Sequence, residues 1–298
     1  MREYLQITPE VTPGTFNGAG TAVLIDLTEN NSYTVHPEPV QGVIRSAGAY
    51  NRRFSTFSKK YALKGNLNVL PHGSQIAALA NWSIATATNT LTSYTVDHVI
   101  LNEAGTLTFS RDLGMYVQQA TFAAQESDQW LKLQLQLVGM SRAVITASSF
   151  AAPTFASFPN DPIFTLEDLS TASGIELVAV QRVDVESMSL MVKNILDVRF
   201  FIAASAQKIK YCGRDVTLQA KLSLLSAATR ADYEATTAIV ANLEFENGTN
   251  TIAFNMESTN FYSSVVDELD NSKVFMQDVT LEAHVDATAG NDLTVTCT

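Results

Sequence analysis

The chain has 298 residues, of which 46% are hydrophobic and 16% charged, and its formal net charge is −11. This composition excludes a disordered chain, and the negative charge argues against binding to a nucleic-acid backbone, since that affinity comes mainly from Lys and Arg. No apolar run is long enough to span a bilayer as a helix, and the N-terminal segment lacks the apolar core of a signal peptide. We therefore expect a soluble, unexported protein of one to three domains with no membrane partner.

The first half predicts an arm followed by strands. Residues 1–21 are rich in Pro, Gly and Thr, which favours an extended arm over a core element. Ser74–Trp82 has helical character and opens with a serine suited to an N-cap, and the basic segment Arg45–Lys60 predicts a long loop or a protruding hairpin. Apolar and polar residues alternate, as in half-buried strands, at 22–27, 61–69, 94–101, 105–111, 116–124 and 130–138.

The second half follows a proline-containing linker. Pro153, Pro159 and Pro162 are spaced as neither helices nor central strands tolerate. A short helix is predicted at Ser226–Ala235 and a second basic loop at Lys193–Arg214. Strands are predicted at 176–189, 200–204, 216–224, 239–245, 251–256, 261–266, 275–285 and 293–297. The predicted organisation is a first domain at 1–142, a linker at 143–162 and a second domain at 163–298.

The order strand, helix, strands occurs once in each half, which predicts an internal duplication. Leu67 matches Leu222 at an offset of 155 residues, whereas Tyr116 matches Phe261 at an offset of 145, as Phe109 does Phe254. A deletion of about ten residues in the second copy explains the change, in a chain whose halves share pattern rather than identity. In the last strands a slip of one residue pairs Leu133, Leu135 and Leu137 with Val279, Leu281 and Ala283.

Acidic residues concentrate in the second half. Up to Phe150 there are 10 basic and 10 acidic residues, and beyond it there are 9 basic and 20 acidic residues. Asp184 and Glu186 alternate with valines in one predicted strand, and Asp278 and Glu282 alternate with apolar residues in another. Such sheets have one dry face and one acidic wet face. The wet faces either line a shared channel or are ordinary solvent-exposed surface.

No motif predicts catalysis, a cofactor or a metal site. The four histidines, His36, His72, His98 and His284, have no partner at metal-ligand spacing, and the chain lacks GxSxG, GxGxxG and HExxH patterns. A glycosidase-like pair could be drawn from the four acids named above, but any acidic β-protein offers such pairs. Cys212 and Cys297 fit free thiols in a reducing compartment. We expect a protein that is not an enzyme.

The order of features resembles the major tail tube proteins of long-tailed (siphovirus-like) phages, of the type with two tandem tube domains. The resemblance covers nearly the whole chain and depends on PEVTPGT, on LPHGSQIAALANW after the strand ending in Gly65–Val69, on GTLTFSRDL, and on VESMSLMVKNILDVRFF. It implies a mainly β fold, with a β-sandwich or open barrel and a short flanking helix in each domain. It also implies self-assembly into trimeric, pseudo-hexameric rings that stack into a tube.

The resemblance further implies partners and sites. The tube would enclose the tape measure protein, contact tail terminator and tip proteins, and pass viral DNA without binding it specifically. It would belong to the virion tail and assemble in the host cytoplasm. The lumen-facing acids would be Asp184, Glu186, Asp278 and Glu282, and the contacts between rings would be Arg45, Arg52, Arg53, Lys59, Lys60, Lys193, Arg199, Lys208 and Lys210.

Two other kinds of protein share this composition. A head decoration or tail terminator protein would form single rings that do not stack. A carbohydrate-binding double β-sandwich would carry exposed aromatic clusters on its loops, whereas Trp82 and Trp130 lie in a helix pattern and at a strand start.

Overall fold

A computed structural model gives the fold. It describes residues 2–27, 30–45, 53–85, 90–101, 107–145, 158–171, 175–177, 180–182, 185–200, 205–222, 227–269, 275–284 and 292–298. The chain is mainly β, with antiparallel pairing and a short helix flanking the strands of each half, which confirms the predicted fold class.

The described elements of the first half are β1 (Arg2–Pro9), β2 (Val23–Asp26), β3 (Ser32–Arg45), β4 (Arg53–Val69), α1 (Gly73–Ser83), β5 (Tyr94–Leu101), β6 (Leu107–Gln125), β7 (Lys132–Gly139) and β8 (Ser141–Ile145). Those of the second half are α2 (Asp168–Thr171), β9 (Ile175–Leu177), β10 (Val180–Arg182), β11 (Val185–Arg199), β12 (Lys208–Leu222), α3 (Ala227–Ala235), β13 (Ile239–Glu246), β14 (Thr251–Leu269), β15 (Phe275–Ala283) and β16 (Thr294–Cys297).

The strand pairing of the first half recurs in the second. In the first half β3 pairs with β4, β4 with β7, and β7 with β6, which also pairs with β5 and β8; β1 lies between β5 and β2. In the second half β11 pairs with β12, β12 with β15, and β15 with β14, which also pairs with β13 and β16; β9 lies between β13 and β10. Strands of equal rank therefore have equal neighbours.

β-Bulges fix which positions are equivalent. The bulge between Val117 and Gln119 in β6 matches the bulge between Tyr262 and Ser264 in β14, an offset of 145 residues that agrees with the predicted match of Tyr116 to Phe261. The bulge between Val40 and Gln41 in β3 likewise matches that between Ile195 and Leu196 in β11, at an offset of 155.

The ladders then give the remaining offsets. Val138 lies opposite both Tyr116 and Lys64, whereas Glu282 lies opposite both Phe261 and Thr217, so the offset is 144 for β7 and 153 for β4. The predicted offset of 155 for Leu67 is wrong by two residues, and so is the predicted pairing of the last strands. A shift of two keeps every side chain on the same face, so alternation alone could not exclude it.

One strand pair joins the two halves. β6 and β11 are antiparallel, with Ser187 opposite Gln125 at one end and Lys193 opposite Gln119 at the other. The ladder makes a single sheet in which β3, β4, β7, β6, β11, β12, β15 and β14 are consecutive neighbours. We call these eight strands the central sheet.

The hydrophobic core lies beneath the central sheet and is continuous across the halves. Phe122 and Phe254, one from each half, pack with ring centroids 4.8 Å apart, and Phe164 from the segment before α2 packs on Phe245. Trp82 of α1 is fully buried and donates its indole N–H to the Met115 carbonyl oxygen at 2.9 Å. Burial of such aromatic groups supplies much of the folding free energy.

Helix α1 begins one residue earlier than predicted. His72 is the N-cap, and its backbone N–H donates to the Gln75 side-chain oxygen at 3.0 Å, which is half of a capping box. Ser74 lies in the first turn, where its N–H and its hydroxyl donate to the Asp161 carboxylate. A carboxylate at a helix N-terminus is favourable because the free N–H groups there carry partial positive charge.

Several predicted elements need correction. Residues 2–9 form a core strand rather than an arm: Leu5 and Ile7 are fully buried, and the turn-forming residues begin only after Pro9. The predicted loop 193–214 consists largely of the paired ends of β11 and β12. The predicted strands at 105–111 and 116–124 are one strand, β6, which bends near Gly114, where φ is +63°. The predicted linker begins inside β8.

Candidate assembly surface

The central sheet has one polar face. Register places its members side by side on β3, β4, β7, β6, β11, β12 and β15. They are Ser32, Thr34, His36, Lys64, Asn66, Asn68, Lys132, Gln134, Gln136, Gln119, Thr121, Ala123, Gln125, Ser187, Ser189, Met191, Lys193, Asp215, Thr217, Gln219, Lys221, Asp278, Thr280 and Glu282. We call this set the polar face. Amides and hydroxyls dominate it, and its four lysines nearly balance its three carboxylates.

The polar face is concave where the two halves meet. An open depression of about 600 Å³ lies over β6, β11, β12 and β15, lined by residues such as Gln125, Gln134, Ser187, Gln219 and Thr280. The opposite side of the same strands is buried in the core. The sheet thus has the one dry and one wet face expected from its alternation.

The predicted lumen acids fall at one end of the polar face. Asp278 lies opposite Lys221 in the ladder, and a Glu186 carboxylate oxygen is 3.6 Å from the Lys221 ammonium nitrogen. Glu282 is exposed and lies four residues further along β15. Asp184 lies outside the described residues. The structure therefore brings Glu186 and Asp278 together around a lysine rather than into a purely acidic patch.

The predicted inter-ring cations belong to two hairpins. The hairpin of β3 and β4 contains Arg45, Arg53, Lys59 and Lys60, and that of β11 and β12 contains Lys193, Arg199, Lys208 and Lys210. Arg52 lies outside the described residues. The four cations of the second hairpin are exposed, and the Arg199 guanidinium donates to the Asp197 carboxylate at 2.6 Å. The prediction grouped these residues, but they occupy two separate hairpins.

The central sheet ends in two strand edges. In the described part of the chain, β3 pairs only with β4, and the end of β14 from Ser264 to Leu269 pairs only with β15. β3 is the counterpart of β11, and β14 is the counterpart of β6. The two strands that join the halves therefore have counterparts at the two ends of the sheet, with edge N–H and C=O groups available for another strand.

A buried polar network holds β3 in place. The Tyr33 hydroxyl donates to Asp112 at 2.6 Å, and the Arg142 guanidinium donates to Asp112 and to the Val35 carbonyl oxygen. Burial, followed by the adjacent Asp112 carboxylate, holds the pKa of Tyr33 well above its ordinary value. The hydrogen bond to Asp112 raises the pKa of Arg142. This edge strand is thus fixed from its buried side.

Sequence reasoning missed β3 because two prolines interrupt its pattern. Pro37 and Pro39 lie opposite Leu63 and Tyr61 in the ladder. Proline cannot donate a ladder hydrogen bond and is found in sheets mainly on edge strands. The alternation of Tyr33 and Val35 with polar residues, read together with the prolines, could have indicated an edge strand.

The described residues offer little chemistry. They contain no group of three His, Cys, Asp or Glu residues able to hold a metal ion. Cys212 is exposed, and burial raises the pKa of the Cys297 thiol to about 11. In the same part of the chain, no helix has the length and apolar character needed to cross a membrane.

Comparison with known proteins identifies the family. No curated protein matches the chain. The model of the phage tail tube protein family matches residues 2–295, nearly the whole chain. The mainly β fold and the hydrophilic face of its central sheet agree with a structural component of a phage tail. The chain therefore belongs to the phage tail tube protein family.

Proposed function

We propose that copies of this chain join edge to edge into closed rings and that the rings stack into the phage tail tube. The observation that carries this proposal is the ladder between β6 and β11, whose counterparts β14 and β3 end the central sheet. A head-to-tail contact that reuses this ladder pairs β14 of one copy with β3 of the next. Closure into a ring then leaves no exposed sheet edge, which would otherwise promote aggregation.

The internal ladder predicts the register between copies. Met191 lies opposite Thr121 within the chain, and their counterparts are His36 and Val266. Lys193 lies opposite Gln119, and their counterparts are Glu38 and Ser264. The proposed contact thus pairs His36 with Val266 and Glu38 with Ser264, both across the polar-face side of the sheet.

The proposed ring contains three chains. The recurrence of the pairing pattern supports treating residues 1–142 and 163–298 as two copies of one tube domain. The family resemblance implies six such domains per ring, so a chain with two of them closes as a trimer with pseudo-sixfold symmetry. The concave polar face would line the lumen.

The proposed lumen would pass DNA by being hydrophilic rather than strongly repulsive. Amides and hydroxyls cover most of the polar face, and Lys221 stands beside Glu186 and Asp278. A nearly neutral face gives DNA phosphates no cluster of cations to bind. Tape measure, terminator and tip proteins are the partners that a tail tube requires, with assembly in the host cytoplasm.

Light scattering coupled to size exclusion, followed by negative-stain microscopy, tests the proposal. We expect trimers, stacked rings or tubes with a central channel. Single rings that never stack would indicate a terminator-like protein instead. A protein that stays monomeric at all concentrations and salt conditions would overturn the proposal.

A further inference from the structure

The hairpin of β11 and β12 makes an apolar contact with the first half of its own chain. Leu196, Val198 and Phe200 pack against a cluster that includes the buried Ala62 and Val138. Beside them, the Ala206 N–H donates to the Tyr61 carbonyl oxygen at 3.2 Å. We call this contact the intrachain joint.

The counterpart of this site in the second half is open and polar. Ala62 and Val138 correspond to Asp215 and Glu282, because each pair occupies the same ladder positions in its own half. Asp215 and Glu282 are both exposed. They line a depression of about 490 Å³. We call it the acidic site.

Other charged groups also line the acidic site. Lys193 faces Asp215 across the ladder, and Arg214 donates to Asp292 at 2.8 Å, so these two cations are each next to a carboxylate. His284 lines the same depression. The three carboxylates outnumber the two cations, and Glu282 lies opposite an uncharged residue, Thr217.

The hairpin of β3 and β4 differs from its counterpart in the opposite sense. Phe200 and Ala206, which belong to the apolar joint, correspond to Arg45 and Arg53. Residues 39–60 contain five cations, Arg45, Arg52, Arg53, Lys59 and Lys60, and no carboxylate. Positions that are apolar on both sides of the intrachain joint are therefore basic in this hairpin and acidic in the open site.

We propose that the acidic site receives the β3–β4 hairpin of a second copy of this chain, forming an ionic joint between copies where the chain's own joint is apolar. The inference rests on the proposed ring, since the same head-to-tail step that pairs β14 with β3 brings this hairpin over the second half. Placing the basic hairpin on the apolar site, or the apolar hairpin on the acidic site, would bury charges without partners. The two joints therefore exclude each other's occupants.

The ionic joint gives ring formation a salt dependence. Raising the ionic strength from about 0.1 M to about 1 M shortens the Debye length from about 10 Å to about 3 Å, which screens exposed charges. The apolar intrachain joint is not screened. We expect added salt to shift trimers toward folded monomers rather than to unfold the chain.

Charge reversal with a charge-swapped rescue tests the joint. The double variant Arg45→Glu/Arg53→Glu should lower the assembled fraction about tenfold or more, because it places like charges together. Asp215→Lys/Glu282→Lys should do the same, and the quadruple variant should restore assembly. Arg45→Lys/Arg53→Lys keeps the charge and is the matched control. Circular dichroism and thermal melting confirm that each variant is folded.

The outcomes separate this inference from the proposed function. A wild-type protein that never forms rings overturns both. Rings that form equally well with either reversed pair overturn the ionic joint alone. So does a quadruple variant that stays monomeric although folded, since the two sets of charges then do not face each other.

Discussion

Leu190 of β11 lies directly opposite Phe122 of β6, at the centre of the ladder that joins the two halves of the chain. Both side chains are fully buried, and the positions that flank them point alternately to the core and to the polar face. This pair makes the two halves one packed body with one continuous sheet. It also provides the template for contacts between copies.

The first prediction concerns the register between copies. In a background with Cys212→Ser and Cys297→Ser, the variant His36→Cys/Val266→Cys should form disulfides between chains on oxidation, because directly opposed antiparallel residues lie within disulfide reach. Non-reducing electrophoresis should show a ladder that ends at three chains. His36→Cys/Asp267→Cys, whose side chains lie on opposite faces in this register, should cross-link far less. Equal cross-linking of both variants would refute the register.

The second prediction concerns Asn194, which ties the halves together. Its side-chain amide is buried and donates to the Ser83 and Val117 carbonyl oxygens, each at 2.9 Å. Asn194→Leu leaves both carbonyls without this donor and should lower the free energy of unfolding by about 2–4 kcal/mol. Urea unfolding followed by circular dichroism measures the loss. Ser189→Ala on the polar face is the control, and a similar loss there would contradict the assignment.

The third prediction compares the two tryptophans. Trp82 is fully buried and bonded to Met115, whereas Trp130 is 42% exposed. Trp82→Phe removes a hydrogen-bond donor and core volume and should cost about 2–3 kcal/mol, while Trp130→Phe should cost less than about 0.5 kcal/mol. Chemical unfolding of both variants checks the difference. Equal losses would mean that the core under the central sheet is not organised around α1.

The fourth prediction concerns the contact of β3 with β4. A Cβ atom added at Gly65 would lie 1.7 Å from the Thr34 carbonyl oxygen, so the two backbones must separate. Gly65→Ala should lower the free energy of unfolding by about 2 kcal/mol or more and weaken assembly through the displaced edge strand. Gly18→Ala meets only an ordinary contact, 3.4 Å from Phe16, and is the control. Thermal melting and light scattering measure the two effects.

The fifth prediction is a loss of stability in alkali. Burial raises the pKa of Tyr94 to about 12 from its ordinary value of 10.0. The unfolded chain loses this proton first, so the contribution of Tyr94 is fully present below about pH 10 and is lost as the pH rises toward about 12. Two units correspond to about 2–3 kcal/mol. Urea unfolding between about pH 9 and pH 11.5 should show a steeper decline for wild type than for Tyr94→Phe.

An exposed tyrosine provides the control for this titration. Tyr233 on α3 is 40% exposed. Tyr233→Phe should keep the wild-type decline. If it flattens the decline as much as Tyr94→Phe does, the effect is a general one of alkali and not of burial at Tyr94.

Prediction from sequence succeeded where a strand is amphipathic and uninterrupted. The alternation of Leu63 and Leu67 with Lys64 and Asn66 predicted the part of β4 in the central sheet, and the pattern at Tyr94–Leu101 gave the bounds of β5. It failed where local residues favour another structure. The prolines hid β3, and the turn-rich residues after Pro9 hid β1.

The candidate surface was predicted in part. The polar side of β15, with Asp278 and Glu282, follows from alternation, and so does the basic character of the β3–β4 hairpin. Alternation gave no sign that Lys221 stands beside Glu186 and Asp278, because partners across a ladder depend on register.

The amino-acid sequence by itself determined the mainly β class, the recurrence of one pattern in two halves and which face of the strands is wet, because these depend on the local period of apolar side chains. Only the tertiary structure decided that β6 pairs with β11, that β3 and β14 end the sheet, and which residues of the two halves are equivalent. Pairing between strands far apart in the chain depends on bulges and on packing of a shared core. A shift of two residues leaves the alternation unchanged, so no local pattern records it.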